Sequence, residues 1–325
     1  MRLHYYLIFL LLITSCGKDA QEEVDSAILS ATNALSTSDC DSALNSLGSV
    51  SYQNKNYEYI KLFAAANACK AGYKTTTFFD NDLSKISGTS LLSSFTTFSL
   101  AQTSTGTTDA NYQYLQTAID ALLYAGGLST SSNPESDLRE QVFSSSEVAE
   151  MNSLLLYLLM NQLGNYFYYY GNTNSTGVKG GGNIQPGQVC LHSYNVDGGV
   201  IDLVISTYLA GNGGSCTAAG LAGSSQLNSG GDIDTEKACN GIVLFNSLYD
   251  TFLNITVSSI GDTDVTAAFD SVKSIIDSPP GGVGFTDSSI LTVKSQNLCE
   301  TSFASNNEDL QIFFAVIFES LHNRQ

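Results

Sequence analysis

The sequence predicts an all-α fold: a helical hairpin array or bundle that is stabilised by disulfides and carries long Gly/Ser/Asn-rich loops. Apolar residues recur at helical spacing in nearly every patterned segment, whereas the strict alternation typical of β-strands is scarce. Hydrophobic residues make up 43% of the 325 positions, which is enough to bury a core. Seven cysteines supply candidates for disulfides. At this length we expect one large domain or two ordinary ones.

Helices are predicted in the first half from periodicity and from their end signals. Ser146, followed by Glu147 and Glu150, is a candidate N-cap with acidic residues in the first turn. Gly126 and Gly127 end the helix before it. The predicted spans are Glu22–Leu35, Asp39–Val50, Asn56–Ala71, Asp109–Ala125 and Ser146–Tyr170.

The second half begins where this pattern dissolves into Gly, Asn, Ser and Thr, from Gly171 to Gln188, which predicts a linker or a long surface loop. A similar stretch covers Gly211 to Gly231. The last predicted helix is apolar nearly all round and is therefore expected in the centre of the core. Asn254–Ser258 could form a short strand. The predicted helices are Asp197–Ala210, Thr235–Asn254, Asp262–Asp277, Asp287–Phe303 and Glu308–His322.

We therefore expect a helical region over residues 39–170, a loop or linker over 171–189, and a second helical region with disulfides over 190–325. Length and periodicity alone leave open whether the two regions share a core.

The N-terminus has the pattern of an export signal. One basic residue, Arg2, precedes an apolar run from Tyr5 to Ile13, which is too short to span a bilayer as a helix. The following Ile13-Thr14-Ser15-Cys16 resembles the lipobox of bacterial lipoproteins. The resemblance implies a signal peptide over residues 1–15 and a diacylglyceryl thioether on Cys16, with residues 16–38 forming the lipidated N-terminus and the first helix. An ordinary cleaved signal with a chance cysteine, or a buried core helix, is the alternative.

The same resemblance predicts where the chain resides. Several acyl chains hold a domain on a membrane almost permanently. Gly17 and Lys18 follow the cysteine, with no Asp directly after it, which by the sorting rule of enteric lipoproteins favours the outer membrane over the inner one.

Removing Cys16 leaves six cysteines, an even number that favours disulfides in an exported chain. Cys40 opens one predicted helix and Cys69 closes the next, so an antiparallel hairpin would bring the two thiols together. We predict that they pair. Sequence does not choose among the other four; the preferred pairing is Cys216–Cys239 with Cys190–Cys299. A zinc site at Cys190 and His192 is the competing interpretation, although no C-x-x-C occurs.

The segment around the first hairpin resembles the joint between two tetratricopeptide (TPR) repeats. The resemblance implies helical hairpins whose small residues let neighbouring helices approach closely; a generic helical bundle is the alternative. It rests on Asp39-Cys40-Asp41-Ser42-Ala43-Leu44 and Leu47, followed by Tyr59, Phe63, Ala64, Ala68, Gly72 and Tyr73.

Motifs that carry chemistry are scarce, and we predict no catalytic, cofactor-binding or metal-binding residues. No H-E-x-x-H, G-x-S-x-G or P-loop pattern occurs. His192 is expected to be solvated or hydrogen-bonded, and His322 to lie in a last helical turn that favours a cation. The glycine run from Gly177 to Asn183 is read as a flexible loop, not an anion site. The acidic stretches Gly231–Glu236 and Asp262–Asp264 are read as helix N-termini, not calcium loops.

Five consecutive aromatic residues, Tyr166-Phe167-Tyr168-Tyr169-Tyr170, form the most unusual local feature. Five rings in succession on a helix cannot all face one core, so one or two are expected to be exposed. Tyr166, Tyr168, Tyr169 and Tyr170 are therefore a possible contact surface. The alternative is that two packed layers each take some of the rings.

The net charge of the chain excludes one class of binding partner. The chain has 13 Lys and Arg against 31 Asp and Glu, a net charge of −18, which argues against a nucleic-acid partner. We expect a membrane-anchored lipoprotein that acts as a protein-binding scaffold or assembly factor in the cell envelope. A transport-associated protein that binds a solute or lipid is the second hypothesis, and an envelope enzyme the third. A solvated groove with Tyr and Asn would favour the first, and an internal apolar cavity the second.

Overall fold

A computed structural model describes residues 20–87, 90–180, 190–192, 194, 225–229, 232–255, 266–267, 269–270, 273–274, 285–305 and 307–323. Helices account for the regular structure of these residues, apart from a two-residue antiparallel ladder in which β1 (Asn228–Ser229) pairs with β2 (Asp232–Ile233). The predicted all-α class is confirmed.

The α-helices of the described residues are α1 (Ala20–Ser36), α2 (Cys40–Leu47), α3 (Tyr57–Lys70), α4 (Thr75–Thr77), α5 (Leu91–Thr96), α6 (Ala110–Leu123), α7 (Ser136–Arg139), α8 (Ser145–Tyr170), α9 (Thr235–Leu253), α10 (Gln296–Phe303), α11 (Asn307–Phe313) and α12 (Glu319–Asn323). Short 3₁₀ turns cover Leu83–Lys85, Ala101–Thr103, Ser225–Leu227 and Ser288–Leu291. Single π-helical turns cover Phe78–Asp82 and Phe314–Phe318.

Most predicted helices lie within a few residues of an observed one, because capping side chains begin them where the sequence indicates. Asp39 accepts a hydrogen bond from the backbone of Ser42 and begins α2, and Asn56 does the same for α3. The start of α8 differs from the prediction: Ser144, not Ser146, is the cap, and it forms a reciprocal capping box with Glu147.

The predicted helix Asp287–Phe303 is wrong. Asp287 caps only a short 3₁₀ turn by accepting from the backbone of Ser289, and Ser295, which accepts from the backbone of Leu298, begins a separate helix, α10. Of the predicted Asp262–Asp277 helix, only residues 266–267, 269–270 and 273–274 are described, and they are helical. The predicted helix Asp197–Ala210 lies outside the described residues, as does most of the suggested strand at 254–258, whose first two residues are not in a strand.

Helices α2 and α3 form the predicted hairpin. The Cys40–Cys69 disulfide joins the start of α2 to the end of α3, with a Cα–Cα distance of 5.6 Å. Helix α1 packs on this hairpin through buried small residues that include Ala31, Ala43 and Ala66. Close approach through small residues is what the TPR resemblance implies, but a repeat stays a prediction.

Helix α8 packs against α5, α6 and α9 and lies within the main core. Its Gly164 has no room for a side chain, because a Cβ atom there would overlap the carbonyl oxygen of Phe95 in α5. Residues of both predicted regions, 39–170 and 190–325, share this one core. The segment from Leu310 to Phe318 is buried, as expected from its apolar pattern.

Candidate functional site

A partly enclosed cleft of about 320 Å³ lies between α6, α9 and α10, and it is a candidate binding site. Its volume is at the lower end of the range for small-molecule sites. Polar amide, carboxyl and hydroxyl groups share its walls with a few apolar side chains. The lining residues are Gln116, Asp120, Leu123, Tyr124, Thr130, Asn240, Val243, Leu244, Ser247, Lys294, Gln296, Asn297 and Glu300.

Helical spacing places an amide beside a carboxylate on two walls of the cleft. On α6, the Nε2 atom of Gln116 donates to Oδ1 of Asp120 at 2.9 Å. On α10, the Nε2 atom of Gln296 donates to Oε1 of Glu300 at 2.6 Å. Both pairs are four residues apart, so each occupies one helix face. The amides hold the two carboxylates in defined positions.

The charges of the cleft are partly neutralised from within the protein. The Nζ atom of Lys294 lies 2.6 Å from a carboxylate oxygen of Glu135 and 3.0 Å from one of Asp250. Burial raises the pKa of Asp120 to about 6, and the hydrogen bond from Gln116 opposes this rise. Burial, followed by the nearby charge of Asp120, raises the pKa of Tyr124 to about 12.

A disulfide joins the two helices of the second half that line the cleft. Cys239 of α9 pairs with Cys299 of α10, again with a Cα–Cα distance of 5.6 Å, so the preferred pairing of Cys216–Cys239 with Cys190–Cys299 is wrong. The pairing depends on how α9 packs on α10, which local sequence does not encode. The bonded residues are the direct neighbours of Asn240 and Glu300 in the cleft.

Cys190 is also disulfide-bonded, so it cannot serve as a thiolate ligand with His192, and the zinc interpretation fails there. No group of three or more potential metal ligands occurs among the described residues. Asp234 accepts from the backbone of Lys237 and caps α9, as expected for an acidic helix N-terminus. Cys16, Cys216 and the stretch Asp262–Asp264 lie outside the described residues.

The aromatic run is mostly interior, so the predicted contact surface is wrong for two of its four tyrosines. Tyr166 and Tyr170 are 1% and 2% exposed, while Tyr168 and Tyr169 are half-buried. The Tyr166 hydroxyl donates to the Lys237 carbonyl at 2.8 Å. The rings pack in two directions from the end of α8, since Tyr166 lies against Gly241 of α9 and Phe167 meets the ring of Phe318.

A buried polar cluster sits beside this end of α8. Lys179 and Glu319 form an ion pair in which each side chain is 2% exposed. The same carboxylate accepts from the backbone N–H of Leu191 at 2.6 Å and from the Tyr194 hydroxyl at 2.9 Å. Lys179 therefore does not lie in a purely flexible glycine loop, and its segment is attached to α12.

Both histidines of this region are buried, which excludes a solvated His192 but not a hydrogen-bonded one. His192 is buried rather than solvated, with its ring edge-to-face against Tyr194. His322 is buried as well, and burial, together with the positive charge of Lys179, lowers its pKa to about 3. It is therefore neutral near pH 7, and the expected favourable interaction of a cation with the helix end does not apply.

A second, more open groove of about 700 Å³ lies at the start of α3. Tyr52 is 48% exposed there and meets the rings of Tyr59 and Phe63 edge-on. The Tyr57 hydroxyl donates to Glu150 of α8. Tyrosine and amide side chains dominate this groove, which periodicity did not single out. Its lining consists of Gln21, Tyr52, Gln53, Asn54, Lys55, Asn56, Tyr57, Glu58 and Glu147.

Among the described residues, no helix combines the length and apolar character needed to cross a membrane. Comparison of the chain with protein-family models, with curated proteins and with solved structures gives no match.

Proposed function

We propose that this chain is an exported lipoprotein of the bacterial envelope, attached to the membrane through Cys16, that acts as a protein-binding scaffold or assembly factor. The observation that carries this proposal is that every described cysteine is in a disulfide. Disulfides persist in oxidising compartments outside the cytoplasm, which supports export. The lipobox-like motif supports a lipid anchor, and the residues after Cys16 favour the outer membrane.

The groove at the start of α3 supports a protein partner in the envelope. Its exposed Tyr52 offers a large ring that packing against Tyr59 and Phe63 holds in place, so little side-chain entropy is lost on binding. Tyrosine is enriched at protein interfaces. Gln53, Asn54 and Asn56 add amide groups that can bond a polypeptide backbone. A solvated groove of tyrosine and amide groups is the arrangement that favours the scaffold over a carrier of lipid.

The anchor and the groove can be tested separately. Metabolic labelling with palmitate should mark the full chain but not the Cys16→Ala variant. Affinity capture from membranes should then compare the acylated wild type with Tyr52→Ser and with Leu253→Ser, in which a side chain that is 56% exposed is removed at the end of α9. We expect one envelope protein to be captured by the wild type and Leu253→Ser and to be lost with Tyr52→Ser.

Two results would overturn the proposal. If the Cys16→Ala variant is still labelled, Cys16 is not the site of the lipid anchor. If Tyr52→Ser leaves the capture pattern unchanged, the groove is not the binding surface.

The α6–α9–α10 cleft gives an observation for a second candidate function, a transport-associated accessory protein that binds a solute, although it is not the internal apolar cavity expected of a lipid carrier. The lining alternates amides and carboxylates with apolar side chains, so a polar solute fits better than a lipid. Thermal unfolding with and without small solutes would test this role, since a ligand that binds the native state raises the midpoint.

A further inference from the structure

We propose that the α6–α9–α10 cleft binds a neutral, polyhydroxylated ligand of the size of a mono- or disaccharide. This inference goes beyond the scaffold proposal and gives the second candidate function a ligand class. It does not depend on the lipid anchor or on the groove at Tyr52.

The walls of the cleft are built to stay in place. Cys239–Cys299 joins α9 to α10, and the Nζ atom of Lys294 joins the chain before α10 to Asp250 of α9 and to Glu135. On the α6 side, the Tyr112 hydroxyl donates to the side chain of Asn240 on α9. A site held in this way loses little conformational entropy when a ligand binds.

The two amide–carboxylate pairs present both hydrogen-bond donors and hydrogen-bond acceptors to the cleft. Gln116 uses one N–H on Asp120, and Gln296 uses one on Glu300, so each carboxylate keeps an oxygen that makes no hydrogen bond within the described structure. Asn240 accepts from Tyr112 through its oxygen, which leaves its amide nitrogen as a donor. Hydroxyl groups both donate and accept, so a polyol can satisfy carboxylate acceptors and amide donors together.

Ser247 supplies an independent indication of a ligand. It lines the cleft on α9, is 1% exposed, and its Oγ atom has no hydrogen-bond partner in the described structure. A buried hydroxyl without a partner costs stability, so a ligand group that bonds the Ser247 hydroxyl inside the cleft would be favoured. Val243 and Leu244, one turn earlier on the same helix, provide an apolar surface suited to the C–H face of a sugar ring.

The charge distribution disfavours ionic ligands. An anion would meet Asp120 and Glu300, while Lys294 is already shared between two carboxylates. A cationic amine would bond those carboxylates but would leave the amide and serine donors unmatched. A neutral ligand avoids both costs.

Calorimetric titration of the full chain tests the proposal. The detergent that keeps the acylated protein in solution must have no sugar headgroup, because such a headgroup would compete with the probes. The probes are neutral monosaccharides and disaccharides, with spermidine and inorganic phosphate as charged comparisons. We expect at least one neutral sugar to bind and to raise the thermal midpoint. Asp120→Asn and Glu300→Gln should each weaken that sugar about tenfold, as expected for the loss of a hydrogen bond to a charged group.

Matched controls distinguish the cleft from the rest of the surface. Asp137→Asn on α7 and Glu308→Gln on α11 change exposed acidic residues outside the cleft and should leave sugar affinity unchanged. Asn297 is exposed at the rim of the cleft, so Asn297→Ala should fold even if Asp120→Asn or Glu300→Gln does not. It should also lower the affinity for the sugar. Tyr52→Ser should bind sugar normally, so failure of the groove proposal and failure of this one can be told apart.

Three results would overturn the assignment. They are the lack of binding by every neutral sugar, binding that the cleft variants leave intact, and preferential binding of spermidine or phosphate.

Discussion

Lys179 and Glu319 form a buried ion pair although 140 residues separate them in the chain. The glutamate also accepts hydrogen bonds from the Leu191 backbone and the Tyr194 hydroxyl. One carboxylate of α12 therefore bonds Lys179, Leu191 and Tyr194, which lie 125 to 140 positions earlier in the chain. The cluster determines where these residues lie, but it adds little net stability. The cost of taking the two charges out of water offsets much of their attraction.

Lys179→Ala should destabilise the protein strongly, because it leaves Glu319 charged and buried without its partner. The expected loss of unfolding free energy is about 3–5 kcal/mol. Lys70→Ala is the matched control: Lys70 pairs with Asp41 at 2.7 Å, but the Asp41 side chain is 69% exposed and that of Lys70 is 32% exposed, so solvent screens the pair and a much smaller loss is expected. Urea unfolding measures both, and equal losses would contradict the buried ion pair.

His322→Gln should reduce the acid sensitivity of the protein. The pKa of His322 is lowered to about 3 in the folded state from 6.5, so the unfolded chain binds more protons between these values. Stability from this group is complete above pH 6.5 and falls as pH drops towards 3, by up to about 1.4 kcal/mol per pH unit. Unfolding free energies from pH 7 to pH 4 should therefore fall more steeply for the wild type than for the variant. Parallel curves would show that His322 is not buried in its neutral form.

Removal of Cys239–Cys299 by a double alanine substitution should cost more stability than removal of Cys40–Cys69. The two disulfides close loops with separations of 60 and 29 residues, which correspond to about 4.3 and about 3.6 kcal/mol in the chain-entropy model. Cys239 and Cys299 are also fully buried, whereas Cys40 and Cys69 are half-buried. Unfolding free energies from denaturant curves, each fitted with its own slope, would measure the difference, and the reverse order would contradict it.

Peptide mapping without reduction should link Cys190 to Cys216. Cys190 is bonded, the two described pairs use four other cysteines, and a lipidated Cys16 has no thiol. Cleavage before Asp197 and Asp202 places the two cysteines on separate peptides. A link from Cys190 to Cys16 would contradict both this pairing and the lipid anchor.

Gly241→Ala should destabilise the protein, although alanine is the better helix former. A Cβ atom at position 241 of α9 would lie 2.6 Å from the ring of Tyr166, which packs against this glycine from α8. In a free helix the change would stabilise by about 0.5–1 kcal/mol, whereas overpacking costs about 1–3 kcal/mol. Thermal unfolding should therefore show a lower midpoint, and a raised one would mean that α8 and α9 are further apart.

The features that follow from neighbouring residues were predictable. The helices α1, α2, α3, α6, α8 and α9 follow from periodicity and caps, and Cys40–Cys69 from two helices joined by a short turn. Periodicity does not show a cap that lies between two helical patterns, as Ser295 does. For the aromatic run, the sequence leaves open whether the rings form a contact surface or pack between two layers, because the exposure of Tyr166 depends on α9, which lies some 70 positions later in the sequence.

The sequence by itself determined the helical class, the first hairpin and its disulfide, since each depends on contacts within a few turns of chain. It also contains the motif at Cys16 that supports the proposed attachment to a membrane of the cell envelope. Only the tertiary structure decided the Cys239–Cys299 pairing, the Lys179–Glu319 cluster, the neutral state of His322 and the cleft between α6, α9 and α10. These depend on which helix faces pack together, and periodicity shows that a face is apolar but not which face it meets.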